Sequence, residues 1–110
     1  MIYKSKTINL EVRIKHATNF WSRFKGLLFY KNPIVDEGLL ITSCNSIHMF
    51  FMRFPIDVVF LNQNNKVVKV VLNLKPWRIV SPVHTAYSTL ELPTGTIVKW
   101  NICEGDSINL

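Results

Sequence analysis

The chain begins on a strict alternation. In "TINLEVRIK", Ile8, Leu10, Val12 and Ile14 fall on one side, and Asn9, Glu11, Arg13 and Lys15 on the other. Period two is the mark of a half-buried strand. The period then changes. Ala17, Phe20, Trp21, Phe24, Leu27 and Leu28 recur at three- and four-residue steps, which makes one apolar stripe of an amphipathic helix. Arg23 and Lys25 lie off that stripe. Gly26 disfavours a helix interior by about 1 kcal/mol, so it marks the last turn or a close packing contact. "KNP" then stops the helix.

Downstream, "EGLLIT" and "IDVVFLN" read as short buried strands. "NQNN" has turn chemistry, and "KVVKVVLNL" follows as the second arm of a hairpin. "KPWRIVSP" is a loop of proline and aromatic character. "AYSTLEL" alternates again until "PTG" breaks it. "TIVKWNI" is too short for periodicity to choose between helix and strand. "EGD" is a turn and "SINL" a closing strand. Five or six short strands around one good helix predict a single α+β domain over residues 1–110. Its small, mostly antiparallel sheet is expected to curl into a partial β-barrel, with the one main amphipathic helix over an opening and a second short helix left open at 96–102.

Composition narrows the class. A chain of 110 residues can bury a core without disulfide or metal staples. No run of about 18 consecutive apolar residues suggests a membrane span. The first residues lack a secretory signal, so the chain as it stands reads as cytoplasmic. Cys44 and Cys103 sit in no CxxC pattern, and both are expected as free thiols. Residues 1–31 hold seven Lys/Arg against one acidic residue, and the remainder holds six of each. The net charge of +6 therefore resides in the first third. Those cations are spaced out among apolar positions and fit a solvated face, so nucleic acid is not the expected partner.

The stretch that calls for chemistry is "CNSIHMFFMRFPIDVVF", residues 44–60. Asp57 shares a strand face with Val59 and Leu61, so its carboxylate needs a cation or several N–H donors. The structural reading is an ion pair that holds the fold, with Arg23 or Arg53 as partner. Arg23 is preferred, because an arginine can bridge a helix–sheet seam. The functional reading of Asp57 is a general acid or base. Cys44, His48 and Met52 are four residues apart and could present N and S ligands to a soft metal. A hydrogen-bonded core histidine is the plainer reading, and no metal or cofactor is expected. Neither Cys44 nor Ser81 lies in a nucleophile elbow, and the four glycines form no phosphate loop. Glu91 faces away from Leu90 and Leu92, alongside Thr89, and is expected at an exposed or cleft-rim position. Thr94 is a plausible N-cap. Gly105 suits a positive-φ turn whose backbone Asp106 can bond.

The ordered set "RFKGLLFY", "EGLL", "IHMFFMRFPIDVVFL", "LKP", "LELPTG" and "EGD" resembles the family of domains of unknown function numbered 192, over about residues 8–110. The resemblance implies a small β-barrel-like fold with a flanking helix. It marks Arg23, His48, Met52, Asp57 and Glu91 as binding candidates and Gly26, Leu27, Gly95, Gly105 and Asp106 as further motif positions. Gly26, Gly95, Gly105 and Asp106 read as structural. Leu28 and Tyr30 depart from the family pattern, which has methionine and a second arginine there. Many relatives in that family carry a signal peptide, and no activity is implied.

Two functions compete. The leading one is a non-catalytic binding or accessory module for a small ligand or protein partner, with an apolar pocket lined by Trp21, Phe50, Phe51, Trp77 and Trp100. The rival is an enzyme with His48, Asp57 and Glu91 as acid–base groups, which requires all three to converge. Nucleic-acid binding through the basic first third is a third reading.

Overall fold

In the computed structural model the described residues are 4–17, 37–48 and 53–110, with Ala17, Ile47 and His48 described by their backbone alone. The elements are β1 (Thr7–Ile8), β2 (Arg13–Ala17), β3 (Glu37–Thr42), β4 (Ile47–His48), β5 (Ile56–Leu61), β6 (Val67–Leu74), β7 (Ile79–Val80), β8 (Ser88–Leu92), the helix α1 (Thr96–Lys99) and β9 (Ser107–Ile108). The helix expected over 17–28 lies outside the described residues apart from Ala17, which ends β2 instead. Arg23 and Gly26 fall outside with it.

The main sheet has five strands in the order β2-β3-β8-β5-β6. The β3–β8, β8–β5 and β5–β6 pairs are antiparallel, whereas β2 lies parallel to β3. Two short ribbons flank the sheet, β1 with β9 in parallel and β4 with β7 antiparallel. β6 and β2 form the two edges, and a single bridge from Lys66 to Ser107 ties the start of β6 to β9. The described sheets are open and curled, and no ladder among the described residues joins β2 to β6, so barrel closure is not observed.

The N-terminal alternation is read differently from a single strand. A bend at residues 11–12 splits "TINLEVRIK" into β1 and β2, each paired with a different partner. The face assignment nonetheless survives the bend. Ile8 is buried, and Leu10, Val12 and Ile14 pack on the same apolar cluster. Hydrophobic alternation reports which side chains point inward, and it is blind to where the ladder changes partner.

Both faces of the main sheet are covered. On one, Leu39, Ile41, Phe54, Ile56, Val58, Phe60 and Leu74 form a cluster joined by Cys44, Val80 and Val83. On the other, Leu40, Val59, Leu61, Leu90 and Leu92 pack with Ile97, Ile102 and Ile108. This explains why β5 is buried at every position and reads as a continuous apolar run around one aspartate. Gly38 in β3 is a close-approach position. A Cβ there would stand 2.8 Å from Ile14 Cδ1 and 2.9 Å from Leu92 Cδ2.

Asp57 joins three elements. Ile56 pairs with Leu74 and Val58 with Val71, so Leu72 and Asn73 together face Asp57 across a β-bulge. Asn73 takes φ 50°, which asparagine tolerates better than most residues. Its N–H donates to Asp57 Oδ1 at 2.8 Å. The N–H groups of Gly95 and Ile97 donate to Asp57 Oδ2 at 3.1 and 2.9 Å. Helix α1 starts at Gly95, which has no side chain to cap it, and its first turn holds no acidic residue. The carboxylate of β5 therefore supplies the cap from a distant part of the chain. Thr94 does not cap α1; its hydroxyl donates to the Pro55 carbonyl.

The donors to Asp57 among the described residues are backbone N–H groups. Arg53 stands exposed, and Arg23 lies outside the described residues. Asp106 is a second buried carboxylate of the same kind. It accepts from the Cys103 N–H, the Lys6 N–H and the Lys6 ammonium, which clamps the start of the described chain to the turn before β9. Gly105, at φ 94°, makes that turn as anticipated. Both cysteines are free.

Asp57→Asn is expected to lower the unfolding free energy by about 2–4 kcal/mol, because an amide turns one acceptor into a donor facing buried N–H groups. Arg53→Gln is expected to change it by no more than about 0.5 kcal/mol. Urea titration followed by tryptophan fluorescence measures both; a large loss for Arg53→Gln would restore the ion pair.

Candidate functional site

The central strand β8 decides where the acidic candidates point. Glu91 lies opposite Leu39 of β3 and Val58 of β5. Directly opposed residues of antiparallel strands share a face, so Glu91 belongs with the Leu39, Val58 and Phe60 cluster. Asp57 lies opposite Leu92 and binds the helix on the other face. The two carboxyl groups are thus on opposite sides of one sheet. The convergent His48, Asp57 and Glu91 set that acid–base chemistry requires is not formed. His48 is in β4, paired with Ile79 of β7, and Met52 lies outside the described residues.

Glu91 is buried, not at a cleft rim. Alternation correctly turned it away from Leu90 and Leu92, but the sheet has no solvent-facing side there. Its Oε2 has no hydrogen-bond partner among the described residues. Burial disfavours the charged form and raises the Glu91 pKa to about 8, so the carboxyl is largely protonated at neutral pH. Two residues earlier on the same face, Thr89 Oγ1 donates to the Cys44 carbonyl at 2.8 Å. Cys44 Sγ in turn lies 3.1 Å from the Ser46 carbonyl.

An open cleft of about 370 Å³ lies elsewhere, between the β5–β6 turn and the segment before β8. Asn62, Gln63 and Asn64 line one side, and His84, Thr85, Ala86 and Tyr87 the other. Its walls are fixed by the backbone. Asn62 Oδ1 accepts from the N–H groups of Asn64 and Lys66. Opposite, the Tyr87 N–H donates to the Leu61 carbonyl and the Val83 N–H to the Asn45 carbonyl. The cleft is polar and not the aromatic-lined pocket expected. Trp77 is exposed on a different loop, and Trp100 packs against the helix-side cluster. Trp21, Phe50 and Phe51 lie outside the described residues. Local pattern predicts the "NQNN" turn of this wall, without a binding role. No group of three or more His, Cys, Asp or Glu that could hold a metal occurs among the described residues.

The family profile described as DUF192, "Uncharacterized ACR", matches residues 1–110. The chain belongs to the DUF192 family. A UPF0127 protein of Pyrococcus furiosus is 42% identical over 110 residues, covering 97% of this chain and 92% of that protein. A UPF0127 protein of Pyrococcus horikoshii is 41% identical over 98 residues, covering 86% of this chain and 84% of that one. Among solved structures, a protein of unknown function from Novosphingobium aromaticivorans superposes with TM-score 0.74 at 20% identity, covering 86% of this chain and 71% of that chain. At that identity the likeness shows the fold alone. DUF192 membership accounts for the order of "EGLL", "FPIDVVFL", "LELPTG" and "EGD". In the structure these motifs hold Gly38 at its close contact, Asp57 at the bulge, Glu91 in the central strand and Asp106 at the clamp.

Glu91 makes stability depend on pH. Below its unfolded value of 4.5 both states are protonated; between there and about 8 the unfolded chain has released a proton that the folded chain keeps. Unfolding stability therefore falls as pH rises through this window, by up to about 1.4 kcal/mol per pH unit, and levels off above it. Subtracting the profile of Glu91→Gln from that of the parent protein should isolate this slope. Identical profiles from pH 5 to 8 would show that Glu91 ionises as freely as in the unfolded chain.

Proposed function

We propose that the protein is a non-catalytic binding module that takes a small polar molecule in the cleft between residues 62–64 and 84–87. The observation that carries this is the cleft's preset lining. Amide, imidazole, hydroxyl and phenol groups converge on walls already fixed by backbone hydrogen bonds, so little ordering cost attends binding. Separation of Asp57 and Glu91 onto opposite faces supports binding over acid–base catalysis by the full set. The remaining motif carboxylates act on the fold: Asp57 and Asp106 spend their oxygens on buried donors. Arg23, His48 and Met52 are retained as candidate contacts for a partner near the 44–60 stretch.

A second reading rests on Glu91 alone. A buried carboxyl whose pKa lies near neutrality is suited to proton transfer. In that case Glu91→Gln abolishes a turnover that His84→Ala leaves intact.

The test is chemical-shift mapping of the isotope-labelled protein against monosaccharides, free nucleosides and amino acids at millimolar concentration. Perturbations are expected to cluster at residues 62–64 and 84–87. His84→Ala should weaken the response severalfold while the thermal midpoint stays within about 2 °C, since exposed positions contribute little stability. Absence of any shift at these residues across the whole panel would reject the cleft as the site.

A further inference from the structure

Two tight turns set opposite one another build the polar cleft. The Asn65 N–H donates to the Asn62 carbonyl at 3.1 Å, and the Ala86 N–H to the Val83 carbonyl at 2.9 Å. Each bond closes a four-residue turn. The middle residues of both turns line the cleft, Gln63 and Asn64 on one side and His84 and Thr85 on the other. All four are exposed. Two further groups are held in place. Asn62 Oδ1 is taken by the N–H groups of Asn64 and Lys66, which leaves the Asn62 Nδ2 amino group as a donor positioned by the turn. The Tyr87 phenol oxygen accepts from Ser43 Oγ at 3.2 Å, so its own O–H is left to donate. No Asp, Glu, Lys or Arg belongs to the lining among the described residues. Lys66 serves the turn through its backbone N–H.

We infer that the ligand of this cleft is a neutral saccharide whose hydroxyls meet Asn62, Gln63, Asn64 and Tyr87. The inference rests on the binding reading given under the proposed function and names the class of its ligand. A sugar presents neighbouring hydroxyls, each both donor and acceptor, and side-chain amides offer both functions without a charge. Free amino acids and phosphate esters carry charges that gain most from an ionised partner, and this lining supplies none. A nucleoside adds a flat base that gains mainly from stacking. For that the lining offers one phenol ring and one imidazole, with the Ala86 methyl beside them. A sugar ring has less apolar surface to cover, and in an open cleft its outward hydroxyls stay hydrated. The volume of about 370 Å³ lies at the small end of ligand sites, about 300–1,000 Å³, which suits a small sugar.

The isotope-labelled protein is titrated with glucose, galactose, mannose and maltose, and in parallel with adenosine, uridine, free amino acids and glucuronate. Saturable shifts at residues 62–64 and 84–87 are expected from at least one neutral sugar, with weaker responses from the other probes. Asn62→Asp keeps the oxygen that holds the turn and removes the Nδ2 donor. Tyr87→Phe keeps the ring and removes the O–H. Each is expected to weaken binding of that sugar about three- to tenfold, while the spectrum of the unbound protein retains the parent fold. Cleft shifts from a nucleoside, an amino acid or glucuronate, but from no neutral sugar, would overturn the saccharide assignment and leave the cleft as a binding site. Silence from every probe would remove both. Sugar binding left unchanged by Asn62→Asp and Tyr87→Phe would also overturn the assignment.

Discussion

The fold turns on one carboxylate whose donors among the described residues are all backbone N–H groups. Asp57 projects from the fully buried strand β5, and its two oxygens gather N–H groups from the β6 bulge, the turn at Gly95 and the first turn of α1. Each of those donors has lost its ordinary partner. A bulge removes one residue from the ladder, and a helix start leaves its first N–H groups unpaired. The aspartate meets both needs at once, so the bulge, the turn and the helix are fixed relative to β5 and to one another. Asp106 repeats the principle at the other end of the sheet, where Lys6 contributes an ion pair as well as an N–H. Buried carboxyl oxygens are tolerated in both places because several donors compensate the loss of water.

Glu91 is the contrast. It sits one strand away from Asp57 with comparable burial, yet its Oε2 lacks a hydrogen-bond partner among the described residues. Donors surround the Asp57 oxygens, whereas burial makes Glu91 hold its proton. Two carboxyl groups on adjacent strands thereby meet different surroundings, and strand pairing puts them on opposite faces. That separation bears on function more than any single residue does, because shared chemistry requires a common volume.

The cleft at residues 62–64 and 84–87 lies apart from the motif carboxylates. In DUF192 terms, the described motif positions Asp57, Gly38 and Asp106 serve the bulge, the close β3 contact and the terminal clamp. The cleft on which binding is proposed is built from connections: the β5–β6 turn and the segment before β8. Connections can change their side chains without disturbing a ladder, which is why a rigid sheet so commonly presents its contacts there.

Much of the architecture was legible in local pattern. The strands of "EGLLIT", "IDVVFLN" and "KVVKVVLNL", the "NQNN" turn and the positive-φ glycine of "EGD" all follow from residues within a few positions of one another. The inward face of "TINLEVRIK" was legible for the same reason, although its break into two strands was not. Local pattern also showed that Asp57 required a partner and that Glu91 pointed away from its leucine neighbours. It could not name the partner, because the donors to Asp57 come from residues 73, 95 and 97, and backbone N–H groups leave no mark in a sequence. Nor could it show that Glu91 is buried, since period two assigns a face without saying whether another layer covers it. The parallel pairing of β2, the opposite placement of the two carboxyl groups and the walls of the polar cleft were decided by tertiary structure alone. Each depends on which distant strand lies alongside, and that is settled by the packing of the whole chain.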